Sequence, residues 1–109
     1  MTRSTESPVR WSVYLVRARG GVLYAGITTD LERRMQMHTA GKGAKFLRGR
    51  GPLELVYSRK LGAHGLALRV ERRLKGLTKT EKEALVRSAP PRAKLLTLLR
   101  LPGAGAPSG

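Results

Sequence analysis

Along residues 11–101 the apolar positions first cluster in short β-type runs and then recur at helical spacing, and the switches between the two patterns mark the elements. Residues 11–17 (WSVYLVR) and 22–27 (VLYAGI) are rich in β-branched and aromatic side chains. Ala18, Arg19, Gly20 and Gly21 separate them, which is the composition of a hairpin. Thr28, Thr29 and Asp30 then open a helical pattern in which Thr29 and Glu32 can form a capping box, satisfying two N–H groups that a helix start leaves unpaired. This helix is expected to run to about Ala40 and to stop at Gly41. Residues 53–60 (LELVYSRK) read as a third strand. Beyond Gly62, the spacing of Leu66, Val70, Leu74 and Leu77 predicts a second long helix whose apolar stripe packs on the sheet. Thr78 with Glu81, or Thr80 with Glu83, starts a further helix through to Arg87. Pro90 and Pro91 divide it from a leucine-rich segment, residues 93–101. The order β-β-α-β-α-α predicts a small α+β fold in which the leucines between Leu95 and Leu101 either close the core or make a dimer contact.

A chain of 109 residues has room for one hydrophobic core. The expected division is a flexible N-terminus over 1–10, a domain over 11–88, a helical extension over 89–101 and a disordered tail over 102–109. With no cysteine the chain has neither disulfides nor thiolate metal ligands, which fits a reducing compartment. No run approaches the roughly 18 apolar residues of a membrane span, and the start carries no export signal, so a cytoplasmic protein is expected.

Charge changes the picture more than composition does. Twenty-two Lys and Arg against seven Asp and Glu give a formal charge of +15, which points to a polyanionic partner. The basic residues are spread over loops and helix faces, where a membrane binder would concentrate them on one amphipathic segment, so nucleic acid is favoured. A merely solvated basic surface is the bland alternative. The segment 41–52 (GKGAKFLRGRGP) carries Lys42, Lys45, Arg48 and Arg50 among glycines that let backbone N–H groups approach phosphates, and it suits a backbone-following contact. Phe46 either stacks on an unpaired base or anchors the loop to the core.

The candidate chemistry is compact. Tyr14 and Tyr24 sit symmetrically about Arg19, so a tight hairpin puts them opposite, or nearly opposite, each other on one sheet face. Gly26 follows on that face and leaves a gap beside the ring. A core aromatic pair would look the same. On the first helix Leu31, Arg34, Met35 and His38 share one arc about 100° wide. A guanidinium is costly to bury alone, so Arg34 either meets an anion at the sheet edge or snorkels to water. His38 either assists the same anion, transfers protons, or is a satisfied buried histidine. Among the seven acids, Asp30, Glu32, Glu81 and Glu83 belong to helix starts, Glu6 to the N-terminus and Glu54 to the third strand. Glu71 remains, set among Arg69, Arg72, Arg73 and Lys75. It is either an i, i+4 partner of Lys75 or a hard oxygen ligand for Mg²⁺ or Mn²⁺.

Together these residues resemble the GIY-YIG nuclease family, in particular its small stand-alone bacterial members. Ser12-Val13-Tyr14 stands where the GIY triplet is expected and Tyr24-Ala25-Gly26 where YIG is expected. Thr28-Thr29-Asp30-Leu31, the helix with Arg34 and His38, and Glu71 follow in order, over residues 11 to about 88. The resemblance implies a three-stranded antiparallel sheet flanked by helices, with Tyr14, Tyr24, Arg34, His38 and Glu71 on one concave surface. It implies that Glu71 holds one Mg²⁺ or Mn²⁺ and that Arg34 stabilises the pentacoordinate transition state. Tyr24 would help deprotonate the attacking water, while Tyr14 and His38 position that water or substitute as base. The sequence departs from the pattern at Ser12, Val13 and Ala25, and it contains no asparagine, a residue some family nucleases place near the metal. The expected activity is a metal-dependent endonuclease, acting as a monomer on DNA in preference to RNA. With no attached DNA-binding domain, structure-guided or weak sequence specificity is expected. The competing reading is a non-catalytic nucleic-acid-binding module with a vestigial site. A basic protein adaptor would leave the charge without a purpose.

Overall fold

A computed structural model describes residues 10–43, 49 and 51–101. Its elements are β1 (Trp11–Arg17), β2 (Leu23–Thr28), α1 (Leu31–Thr39), β3 (Glu54–Gly62), α2 (His64–Lys75), α3 (Lys79–Ser88) and α4 (Arg92–Leu98). The α+β class and the antiparallel three-stranded sheet agree with the expectation, and the leucine-rich segment adds a fourth helix. The strand order is β2-β1-β3, so β1 is central and buries Val13, Tyr14, Leu15 and Val16 on both of its faces.

The two faces carry different layers. Val13 and Leu15 of β1, with Ala25, Tyr57 and Leu61, pack beneath Leu66, Ala67, Val70 and Leu74 of α2, Leu85 of α3, and Leu95 and Leu96 of α4. The stripe expected on α2 is therefore the stripe that is buried, with Leu77 packing from just beyond the helix end. Leu99 and Leu101 join the same cluster, so the C-terminal leucines close the core, and Leu98 alone among them is 53% exposed. On the other face Tyr14 and Val16 meet Leu31 and Met35 of α1, together with Tyr24 and Leu53. This second layer is thin, and α1 is its only helix among the described residues.

Two local expectations are corrected. The hairpin is centred on Gly20, not Arg19: a three-residue 3-10 turn, Arg19–Gly21, places Gly20 and Gly21 at φ +83 and +85, values that favour glycine. Ala18 and Val22 close it through an N–H···O bond of 2.8 Å. Tyr24 consequently faces Val16 and Tyr14 faces Gly26, so the two tyrosines share a face diagonally rather than squarely. The start of α1 is capped by Asp30, not by Thr29 with Glu32. The Asp30 carboxylate accepts from Arg33 N at 3.1 Å, and the Thr28 hydroxyl accepts from Asp30 N at 3.0 Å. By contrast, α3 begins with the expected capping box of Thr78 and Glu81.

Part of the positive charge is structural. Arg17 forms a two-pronged pair with Glu83 at 2.5 and 2.9 Å, which Lys79 joins at 2.7 Å while also donating to Gly21 O. Arg59 donates to the carbonyls of Ser58, Ala89 and Pro90, Arg73 to that of Leu99, and Arg92 to that of Leu61. These contacts tie the sheet and α2 to the α3–α4 region, satisfying carbonyls that helix ends and the Pro90-Pro91 linker leave unpaired.

Candidate active site

The site is built on the α1 face, around a histidine. Leu31, Arg34, Met35 and His38 line one side of α1, and because Leu31 and Met35 pack on the sheet they carry the two polar residues inward with them. His38 is 2% exposed. Its Nε2 lies 2.8 Å from the Tyr14 hydroxyl, which is itself wholly buried. The imidazole also meets the Tyr24 ring edge-on, with centroids 6.0 Å apart. One histidine thus touches both tyrosines, whose diagonal placement leaves room for it between them.

Two glycines make this packing possible. Gly26 stands opposite Tyr14, and a Cβ there would run into the phenol oxygen; Gly43, just past α1, would run into the His38 ring at Nδ1 in the same way. The gap beside Tyr14 is legible from the parity of Gly26. Nothing in the sequence distinguishes Gly43 from the other glycines of its segment.

Burial raises the pKa of Tyr14 above its ordinary value, and the hydrogen bond and charge of Arg34 only partly offset this. Burial lowers that of His38, and the neighbouring Arg34 charge acts in the same direction. At neutral pH the pair is therefore an uncharged phenol hydrogen-bonded to an uncharged imidazole, and the two shifts together disfavour proton transfer from one to the other. Which group donates depends on the histidine tautomer.

Arg34 is half-buried, and its Nε is fully buried with no hydrogen-bond partner among the described residues. Such an unsatisfied donor costs about 1–3 kcal/mol, which makes a buried one a mark of function more often than of stability. A cleft of about 280 Å³ lined by Thr28, Thr29, Asp30, Arg33, Arg34 and Met37 opens beside it, with the Asp30 carboxylate committed to capping α1.

Glu71 lies on α2, at the rim. Its side chain is 20% exposed and its carboxylate is 3.3 Å from Lys75 Nζ, which in turn lies 5.8 Å from the centroid of the Tyr24 ring. The Glu71 charge also reaches Tyr14, whose phenol it helps to keep protonated. Tyr14, Tyr24, Arg34 and His38 are thus in one cluster, with Glu71 joined to it through Lys75. The sequence offers Lys75 only as a salt-bridge partner of Glu71; its position over Tyr24 makes it part of the site. Glu71 is a single carboxylate: among the described residues no three His, Asp or Glu side chains gather into a metal cluster. One carboxylate, with waters and a substrate phosphate, suffices for Mg²⁺ or Mn²⁺. Lys42 is exposed beyond the end of α1, with its backbone N–H bonded to Met37 O at 2.8 Å. Lys45, Phe46, Arg48 and Arg50 lie outside the described residues.

The sequence profile of the GIY-YIG catalytic domain matches residues 10–84. The chain is similar to UPF0213 protein YhbQ of Escherichia coli K12, at 53% identity over 92 residues, covering 84% of this chain and 92% of that one. It is similar to a UPF0213 protein of Klebsiella pneumoniae, at 58% identity over 78 residues, covering 72% of this chain and 74% of the relative. The solution NMR structure of a UPF0213 protein from Bacillus halodurans matches the fold with a TM-score of 0.50 at 37% identity, over 84% of this chain and 98% of that one. With the profile covering well over half its length and the tyrosine, arginine and histidine side chains gathered around one another, the chain belongs to the GIY-YIG family.

Proposed function

We propose that this protein is a metal-dependent endonuclease that hydrolyses phosphodiester bonds in nucleic acid, with DNA as the preferred substrate. The observation that carries the reading is the buried Nε of Arg34, without a partner among the described residues, beside the Tyr14–His38 pair. A donor left unsatisfied in the apo protein, on a chain of charge +15, fits a site that awaits an anion.

Glu71 is the residue that would hold a Mg²⁺ or Mn²⁺ ion, and Lys75 would give up its hold on that carboxylate as the ion enters. A divalent ion bound there supplies Lewis-acid stabilisation of charge on the phosphate and the departing oxygen. Arg34 binds the scissile phosphate and, being already oriented, favours the extra charge of the pentacoordinate transition state. Tyr24, at the rim beside Lys75, orients the attacking water and helps take its proton. Tyr14 and His38 hold that water or take the proton in its place, and the depressed His38 pKa keeps the imidazole unprotonated and ready to accept. The cysteine-free, basic chain fits the cytoplasm, and the closed leucine core fits a monomer. No helix among the described residues is long and apolar enough to cross a membrane.

A second reading, a nucleic-acid-binding module without catalysis, draws on the Glu71–Lys75 pair, which satisfies the carboxylate with no metal. The deciding experiment is cleavage of labelled single-stranded, duplex, nicked and branched DNA, and of RNA, with Mg²⁺, Mn²⁺ or EDTA. The expected result is metal-dependent cutting that Glu71→Ala and Arg34→Ala both abolish. Binding by all three proteins with no cutting of any substrate would establish the module instead.

A further inference from the structure

The face that carries the Tyr14–His38 pair does not end at the pair. In β1 the side chains of one face alternate, so Ser12 shares a side with Tyr14, and Arg10, just before the strand, continues the same row. Across the ladder Ser58 pairs with Tyr14 and Lys60 with Ser12, which puts Ser58 and Lys60 on this side too. Together with Thr29 these residues line a cleft of about 540 Å³. It shares Thr29 and Asp30 with the cleft beside Arg34, so the two run into each other around the start of α1.

The lining is chemically uneven. Arg59 also borders the cleft, but its guanidinium is committed to the carbonyls of Ser58, Ala89 and Pro90. Asp30 is the acid of the lining, and its carboxylate caps α1. Arg10 and Lys60 are exposed cations with no ion pair among the described residues, set beside three hydroxyls. Arg59, Arg73 and Arg92 tie the α3–α4 side to the rest of the fold; Arg10 and Lys60 make no such contact among the described residues.

We propose that this cleft is a second phosphate subsite, taking a backbone phosphate of the same strand whose scissile phosphate lies at Arg34. It rests on the nuclease-like reading above only in that the α1 face receives nucleic acid; catalysis is not required. Arg10 and Lys60 neutralise the phosphate, and the hydroxyls of Ser12, Thr29 and Ser58 offer it donors. Such contacts carry no base sequence; they set the direction in which the strand crosses the site. Because the two clefts meet at Thr29 and Asp30, a strand whose phosphate is held at Arg34 can continue into this one.

The test is binding of the full chain to a labelled DNA duplex and to a labelled RNA strand in EDTA, across a salt series. Wild type is compared with the double variant Arg10→Ala/Lys60→Ala and with Arg87→Ala/Lys94→Ala. The second pair removes the same charge from exposed positions on α3 and α4. Loss of two phosphate contacts should weaken binding on the order of tenfold at low salt and lower the slope of log K against log salt by about 1–2 for the first pair only. Equal weakening by the two pairs would mean diffuse attraction and no subsite. An unchanged slope for Arg10→Ala/Lys60→Ala, with wild type still binding, overturns the subsite and leaves the proposed nuclease intact. No binding by wild type overturns both.

Discussion

The two faces of the sheet treat their arginines in opposite ways. On the α2–α4 side every arginine that reaches into the structure ends on a partner: Arg17 on Glu83, Arg59 on three carbonyls, Arg73 on Leu99 O and Arg92 on Leu61 O. On the α1 side Arg34 is drawn inward on the same kind of amphipathic stripe, yet its Nε finds no acceptor among the described residues. Among the described residues, one face is completed by folding alone and the other keeps a buried donor without an acceptor. A fold tolerates such a local violation where a ligand is to supply the missing partner, which is why the α1 side reads as the site and the α2–α4 side as the scaffold.

The sharpest way to break this contrast is to truncate one arginine from each side. Arg34→Ala should lower any cleavage by about 10²–10³, the scale of losing one positioned group at a developing charge. Its effect on the melting temperature should be small, because the lost bond to Tyr14 is offset by removal of a buried Nε that has no partner among the described residues. Arg59→Ala should do the reverse, destabilising by about 2–3 kcal/mol as the carbonyls of Ser58, Ala89 and Pro90 lose a charged donor, with activity near wild type at a temperature where the variant is folded. Paired melting curves and initial rates decide it. If the two variants lost stability and activity together, the faces would not be specialised.

A smaller effect separates room for the site from the site's own chemistry. Gly26→Ala puts a Cβ into the Tyr14 hydroxyl, and Gly43→Ala puts one into the His38 ring. Each should cost about 1–3 kcal/mol by overpacking and should displace the Tyr14–His38 hydrogen bond. An imidazole NMR titration should then show His38 moving back towards the ordinary histidine range, because opening the packing relieves the burial that depresses it. A depressed value retained in both variants would show that the Arg34 charge, and not burial, dominates.

The layers were legible in the sequence because they rest on periodicity: the strands, the α2 stripe and the inward arc of Leu31, Arg34, Met35 and His38 all follow from spacing. What spacing does not carry is the choice among equivalent local solutions. Thr29 and Asp30 are both good caps, and only the Thr28 hydroxyl bound to Asp30 N selects the latter. The hairpin centre moved by one residue because Gly20 and Gly21 both take positive φ, a property of the turn and not of the strands. The contact of Gly43 with His38 and the seat of Lys75 over Tyr24 join elements distant in sequence, so no local pattern announces them. The fate of the arginines was hidden for the same reason: charge can be counted, but the carbonyl that receives a guanidinium belongs to another part of the chain.

The smallest expected effect tests the completed side on its own. Pairing with Arg17 first, and with Lys79, lowers the Glu83 pKa from 4.5 to about 2 in the folded protein. A carboxylate whose folded value lies below its unfolded one adds stability that is fully present above about pH 4.5 and is lost as the pH falls towards 2. Because the groups are largely in reach of solvent, screening keeps that contribution modest and makes it shrink further with added salt. Acid melting of wild type against Glu83→Gln should therefore show curves that differ at neutral pH and converge as the pH drops through this window, with any nuclease rate at neutral pH unaffected. A gap between the curves that stayed constant down to pH 2 would assign the role of Glu83 to packing. A change in rate would mean that the scaffold side reaches the α1 face through the hairpin turn, where Lys79 holds Gly21 O.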